Sequence, residues 1–242
     1  MSRALIEERV GEIRRKLDSI AGPNAVQLMA VTKYRTQEES LWAAEAGVDA
    51  IGENRIQEAV KKWQHLKPPV PLHAIGHVQT NKVKYGIKLF DSIDSLDSER
   101  LAEALDGRAA DIMPVMIEVN IGLEASKSGL HPDQVRPFLL QLNRWPHLRA
   151  DGLMTVLPAR RENSVEESRR IRHYMQEMAD LWRMCRGEEL PWAPLTHLSM
   201  GMSGDWEWAV EAGSTMVRLG TSIFGPRPLT PPTAGAQDAI DE

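Results

Sequence analysis

Ile6, Val10, Ile13, Leu17 and Ile20 recur at alternating spacings of four and three, the buried stripe of an amphipathic helix. Ala21-Gly22-Pro23-Asn24 ends it. From there short apolar runs alternate with longer amphipathic segments. The runs cover residues 27–31, 50–52, 72–76, 89–93, 114–121, 148–156, 196–200 and 215–219, eight strand candidates, most of them followed by a helical pattern. Alternation of this kind predicts parallel strands joined by crossover helices.

The helix boundaries are marked locally. Thr36-Gln37-Glu38-Glu39 and Ser164-Val165-Glu166-Glu167 fit the capping box, in which a hydroxyl and a carboxylate each satisfy an unpaired backbone N–H. Pro132 suits a first helical position. Ile171, Met175, Met178, Trp182 and Cys185 form one apolar face of a long helix and read as core rather than cofactor contacts. Eight such units either close as a barrel or lie open as a doubly wound sheet. Open sheets that bind dinucleotides carry Gly-x-Gly-x-x-Gly after the first strand, whereas here Thr32-Lys33-Tyr34-Arg35 follows it without a glycine. The fold class expected is therefore α/β, a single (β/α)8 TIM-type barrel with an additional N-terminal helix. It forms one domain over residues 1–227, with a flexible tail over 228–242 that is rich in Pro, Thr, Ala and Gly.

Composition narrows the function classes. The 242 residues are 42% hydrophobic and 26% charged, a globular balance, and the formal net charge of −5 gives no basic footprint for nucleic acid. One cysteine, Cys185, allows neither an intramolecular disulfide nor a multi-cysteine metal site. Met1-Ser2-Arg3-Ala4-Leu5 leads into a charged amphipathic stretch rather than a secretory core, and no apolar run approaches the roughly 20 residues needed to span a bilayer. The expectation is a cytoplasmic protein that engages no membrane.

Functional side chains of a (β/α)8 barrel gather at the C-terminal ends of its strands, and phosphate commonly binds after the seventh and eighth. In Leu28-Met29-Ala30-Val31-Thr32-Lys33, alternation places Met29, Val31 and Lys33 on one face, so Lys33 projects from the mouth if the other two fill the interior. A lysine desolvated there, among other cations, can lose its proton and form a Schiff base; the plain alternative is a surface lysine at a strand end. Met216 and Arg218 share a face of the last strand, and Gly220-Thr221-Ser222 follow. That turn offers close main-chain approach, consecutive N–H groups and two hydroxyls, a cradle for phosphate. The seventh strand leads into Ser199-Met200-Gly201-Met202-Ser203-Gly204-Asp205, a second small-residue turn in which Ser203 reads as a helix N-cap. Asn54, after the second strand, either caps the next helix or faces the pocket, and both readings stand. His73, Ile75 and His77 share a face, but no carboxylate or cysteine cluster accompanies them, so no metal is assigned. Glu118 and Asn120 share a face of the fifth strand without an assignable partner.

Taken in order, these segments resemble the pyridoxal phosphate homeostasis protein family, the pyridoxal 5′-phosphate (PLP)-binding relatives of the alanine racemase N-terminal barrel. The matching stretches are Leu28 to Lys33, Gly52-Glu53-Asn54 with Gln57-Glu58, and His73 to Lys82. Val119-Asn120-Ile121 with Ser126-Lys127-Ser128-Gly129 and Gly152-Leu153-Met154 follow, and the most specific are Leu198 to Ser203 and Gly213 to Gly225. They run from about residue 5 to 227. The resemblance implies a Schiff base on Lys33, phosphate held by Ser199, Gly220 and Thr221, Arg218 facing the pyridine nitrogen, and Asn54 and Met200 lining the pocket. Taken together, the reading has the anionic tail gripped on the opposite side of the opening from the amine.

An arginine remains charged at any reachable pH, so it keeps a neighbouring ring nitrogen unprotonated and the ring a poor electron sink. Racemase relatives also take a catalytic tyrosine from a second, β-rich domain. No such domain is expected here, and none of Tyr34, Tyr85 and Tyr174 matches that motif. The implied role is therefore a binding protein in vitamin B6 homeostasis rather than an enzyme, a monomer making transient contact with PLP-dependent apoenzymes. Two enzymatic readings compete with it: a PLP-dependent racemase or decarboxylase within one barrel, and a cofactor-free aldolase using Lys33.

Overall fold

The computed structural model describes residues 1–158 and 164–226. The tail expected at 228–242 lies outside the described residues. Eight parallel strands close in sequence order, with β8 hydrogen-bonded to β1. The strands are β1 (Gln27–Val31), β2 (Ala50–Glu53), β3 (Leu72–Ala74), β4 (Ser92–Leu96), β5 (Met113–Glu118), β6 (Leu148–Met154), β7 (His197–Ser199) and β8 (Met216–Leu219). The helices that the site depends on are α2 (Gln37–Glu45), α3 (Ile56–Trp63), α8 (Trp206–Glu211) and α9 (Thr221–Phe224), numbered with α1 (Arg3–Ala21), α4 (Val83–Gly86), α5 (Glu99–Asp106), α6 (Pro132–Gln141) and α7 (Val165–Arg186).

The leading helix earns its place by covering a seam. Ile6, Val10, Ile13 and Leu17 are buried with Ala43, Val48, Trp206, Val210 and Phe224, so α1 lies over the junction where β8 meets β1. The capping box at α2 is complete: Thr36 Oγ1 accepts from the Glu39 N–H, and Glu39 Oε2 accepts from the Thr36 N–H, both at 3.1 Å. Ser164 caps α7, whose Ile171, Met175, Met178, Trp182 and Cys185 are buried in the outer core as expected.

The fourth strand departs from expectation. It runs from Ser92 to Leu96, three residues beyond the apolar run at 89–93. Phe90 packs in the outer core ahead of the strand, and the strand's own inner positions are polar. Asp94, fully buried, accepts from Ser92 Oγ at 2.6 Å and lies 2.9 Å from His73 Nδ1. Burial works against a charged His73, but Asp94 outweighs it and raises the imidazole's proton affinity. His73 and Ser92 are in register near the starts of β3 and β4, and Asp94 lies further along, at the middle of β4.

Between the two ends the interior is filled by Met29, Ala50, Met116, Met154 and Met216, with Ile75 and Val156 packed on them. A side chain at Gly52 would come within 2.7 Å of Met29 Sδ and 2.8 Å of the Ile75 Cδ1 methyl, so this position has room only for hydrogen. The barrel is plugged, not hollow.

Candidate active site at the barrel mouth

At the end of β1 the Thr32 N–H donates to Gly52 O at 3.1 Å and the Arg35 N–H returns to Thr32 O at 3.0 Å, closing a tight turn around Lys33 and Tyr34. Tyr34 has φ +62°, the left-handed region, which costs a non-glycine residue of order 1 kcal/mol. The turn is held from outside the barrel. Glu53, 1% exposed, accepts from Thr32 Oγ1 and from Lys62 Nζ, both at 2.7 Å, with Trp63 Nε1 at 3.4 Å. Lys62 Nζ also donates to Thr32 O at 2.8 Å. With Met29 facing the plug and Thr32 turned outward to Glu53, alternation sets Lys33 inward, half-buried at the rim.

Arg218 stands on β8, the strand paired with β1. It is in register with Met29, is 3% exposed, and donates to Ser199 Oγ at 2.6 Å and to Thr155 O at 2.7 Å. Burial lowers its proton affinity, while Asp94, Glu118 and Asp205 act the other way and keep an ion there tolerable. Beyond it the chain turns at Gly220 into α9, where Thr221 is exposed and the Ser222 N–H donates to Ser203 Oγ at 3.1 Å. Ser203 is therefore not the cap of α8. Asp205 holds that position, accepting from the Met202 N–H at 2.7 Å, and Ser203 ties the β7 turn to the β8 turn instead. Gly201 has φ +97°, and a Cβ there would come within 2.6 Å of the Ala209 methyl, so glycine lets α8 close on the turn.

The barrel order corrects one expectation. Because β8 pairs directly with β1, the small-residue turn at Gly220 adjoins Lys33 rather than facing it across the opening; a Cβ at Gly220 would sit 3.7 Å from Val31 Cβ. The wall across from Lys33 is β5.

Asn54 does not cap α3, since Arg55 occupies the N-cap without a side-chain bond; Asn54 Oδ1 is buried with no partner. Met200, fully buried, lies in the outer core, and its main chain is already bonded to Met216 O and Ser214 Oγ. Its side chain does not join the others. Asn120 is spent on its own loop, bonding the Glu124 main chain through both amide atoms. His77 is exposed, 3.7 Å from Asp97. Glu118 is 9% exposed, with Oε2 unpartnered; burial and Asp97 push its carboxyl up to about 7 against the pull of Arg218. Among the described residues no group of three or more His, Cys, Asp or Glu side chains is placed to hold a metal ion.

Two features lay beyond sequence reasoning: the Glu53–Lys62 support under Lys33, and the Thr155 carbonyl that fixes Arg218. Glu53 had appeared only within a motif. Its burial depends on α3 folding back over β2, which no local spacing encodes.

Residues 7–228 match the family described as alanine racemase, N-terminal domain. The chain is 40% identical over 213 residues to a pyridoxal phosphate homeostasis protein of Vibrio alginolyticus, covering 85% of this chain and 88% of that one. It is similar to a solved structure from Bifidobacterium adolescentis described as an unknown protein (31% identity, TM-score 0.84, 92% of this chain and 95% of that one). PipY of Synechococcus elongatus, solved with PLP bound, superposes at TM-score 0.77 with 33% identity, over 91% of this chain and all of that one. No helix among the described residues is long and apolar enough to cross a membrane.

Proposed function

Because this chain belongs to the pyridoxal phosphate homeostasis proteins of the alanine racemase N-terminal domain family, we propose that it carries PLP covalently and reversibly on Lys33, as a holder of the cofactor rather than an enzyme that turns over a substrate. The observation that carries this reading is one wall of the mouth. A rim lysine stands on the strand next to a buried arginine–serine pair and a small-residue turn. When bound, PLP supplies an aldehyde that condenses reversibly with a primary amine.

The residues suit that ligand. Ser199 Oγ already accepts from Arg218, which leaves its own proton for an anionic oxygen. Gly220 and Thr221 add main-chain N–H groups and a hydroxyl in a turn braced by Ser203. Asn54 Oδ1 is a buried acceptor awaiting a donor. Met200 contributes no side chain. Arg218 stays charged and donates hydrogen bonds without giving up a proton, which supports holding over turnover. The reading extends to a cytoplasmic monomer, residues 1–227 forming the functional unit, that delivers PLP to apoenzymes.

The test is reduction of the PLP-loaded protein with borohydride followed by peptide mapping. The adduct is expected on the peptide containing Lys33; no adduct, or one distributed over surface lysines, would refute the proposal. Thr221→Val removes a donor to an anion, and PLP affinity should fall about tenfold, roughly 1.4 kcal/mol, with unphosphorylated pyridoxal little affected. Equal losses for both ligands would remove Thr221 from the phosphate site.

A further inference from the structure

Glu118 faces inward from β5, the strand opposite β1, in register with Met154, which in turn is in register with Ser199. Its neighbour Met116 belongs to the interior plug and Ile117 to the outer core, so the carboxyl looks into the barrel. A carboxyl this buried with one oxygen unpartnered is costly unless it is kept for something that enters the site. Past β3 and β4 a groove of about 620 Å³ is lined in part by His77, Gln79, Asn81, Asp97 and Arg100, the last donating to Thr80 Oγ1 at 3.1 Å. Asp97 thus belongs both to the groove and to the surroundings of Glu118.

We infer that Glu118 is the base of cofactor release, taking a proton from an incoming primary ammonium so that the freed amine can displace Lys33. This rests on the proposed attachment to Lys33. An amine attacks through its lone pair, so a basic amine must first lose a proton. Asp97 offers the ammonium a carboxylate on the side of the groove nearer Glu118, with Arg100 on the same lining, and Glu118, across the opening from Lys33, receives the proton. In the exchange one carbon–nitrogen double bond breaks as another forms. Three hydrogens leave the incoming nitrogen, one by way of Glu118, which gives its proton up again as Lys33 departs; three end on the Lys33 ammonium, the carboxylate is restored, and nothing is oxidised or reduced.

The charged groups around Glu118 set its behaviour. Asp97 beyond β4 favours the protonated acid, Arg218 on β8 favours the carboxylate, and burial favours the acid, which places its titration at about 7. Lys33 and His77 stand at the same rim, beyond β1 and β3. Lys127, in the loop after β5, is committed to Glu124 and to the carbonyls of Val156 and Leu157. Below pH 7 the group is already protonated and cannot act as a base; above it the carboxylate is available.

The test compares two amines on the PLP-loaded protein, followed by loss of the bound absorbance. Propylamine is protonated at neutral pH, and its displacement rate should bend near pH 7, whereas methoxyamine, already unprotonated, should show no such bend. Glu118→Gln keeps the shape of the side chain; it should slow propylamine at least about tenfold and remove the bend, with methoxyamine slowed less than about threefold. In the ligand-free protein, an infrared difference between pH 6 and pH 8 should show a protonated carboxyl that Glu118→Gln lacks. Superimposable propylamine profiles, an equal slowing of both amines, or a wild-type profile without the bend would overturn the role of Glu118. Failure of the wild type to take up PLP on Lys33 would instead remove the premise.

Discussion

Lys33→Ala should leave no borohydride-reducible adduct, while the unfolding free energy stays within about 1 kcal/mol of the parent, since a half-buried rim residue contributes little to packing. The loss should be complete because the lysines braced against the β1 turn and the β5 loop are committed elsewhere. Lys62 lies outside the barrel, bound to Glu53 and to the Thr32 carbonyl, and Lys127 is held by Glu124 and two carbonyls. Lys33→Arg keeps the charge but not the nucleophile, and should fail equally. Absorbance and intact mass after reduction give the stoichiometry, and urea unfolding gives the stability. An adduct of undiminished stoichiometry in either variant would move the attachment elsewhere.

Glu53→Ala should be the most destabilising of the site variants, at about 3–5 kcal/mol, because it strands a buried cation. Three donors converge on one carboxylate oxygen, from Thr32, Lys62 and Trp63, and the alanine satisfies none of them. The urea midpoint should fall with little change in slope. Retention of PLP should weaken as well, since this carboxylate braces the turn that presents Lys33. Removing the cation too, as Glu53→Leu with Lys62→Met, should recover most of the lost stability without restoring retention fully. A single-variant cost below about 1 kcal/mol would show that the turn is supported by something else.

What could be read in the chain follows from what is local. The stripe of α1, the Thr36 cap and the inward placement of Met29 depend on neighbours within a few residues, and they appear as read. The fourth strand was displaced because its inner positions are Ser92 and Asp94, chosen to meet His73 rather than to be apolar. The apolar run at 89–93 therefore ends three residues short of the strand's end. Ser203 has the chemistry of a cap, but its partner N–H arrives from Ser222, nineteen positions on. Met200 sits among residues that face the mouth, yet alternation turns it into the outer core beside Leu198. Glu118 shares a strand face with Asn120 in the sequence pattern and no more, because the groups that give it its chemistry come from β8 and from the segment after β4. The position of the Gly220 turn relative to Lys33 is a property of ring closure, which no single segment contains.

The methionine filling makes the barrel a vessel with a floor. Four unbranched thioethers and an alanine shut off the end where His73 and Ser92 lie, so nothing can pass through from below, and any ligand of the mouth must arrive and depart by the same door. Loading and unloading then compete for one threshold: a molecule waiting to collect must lean over the occupant rather than push it out from behind.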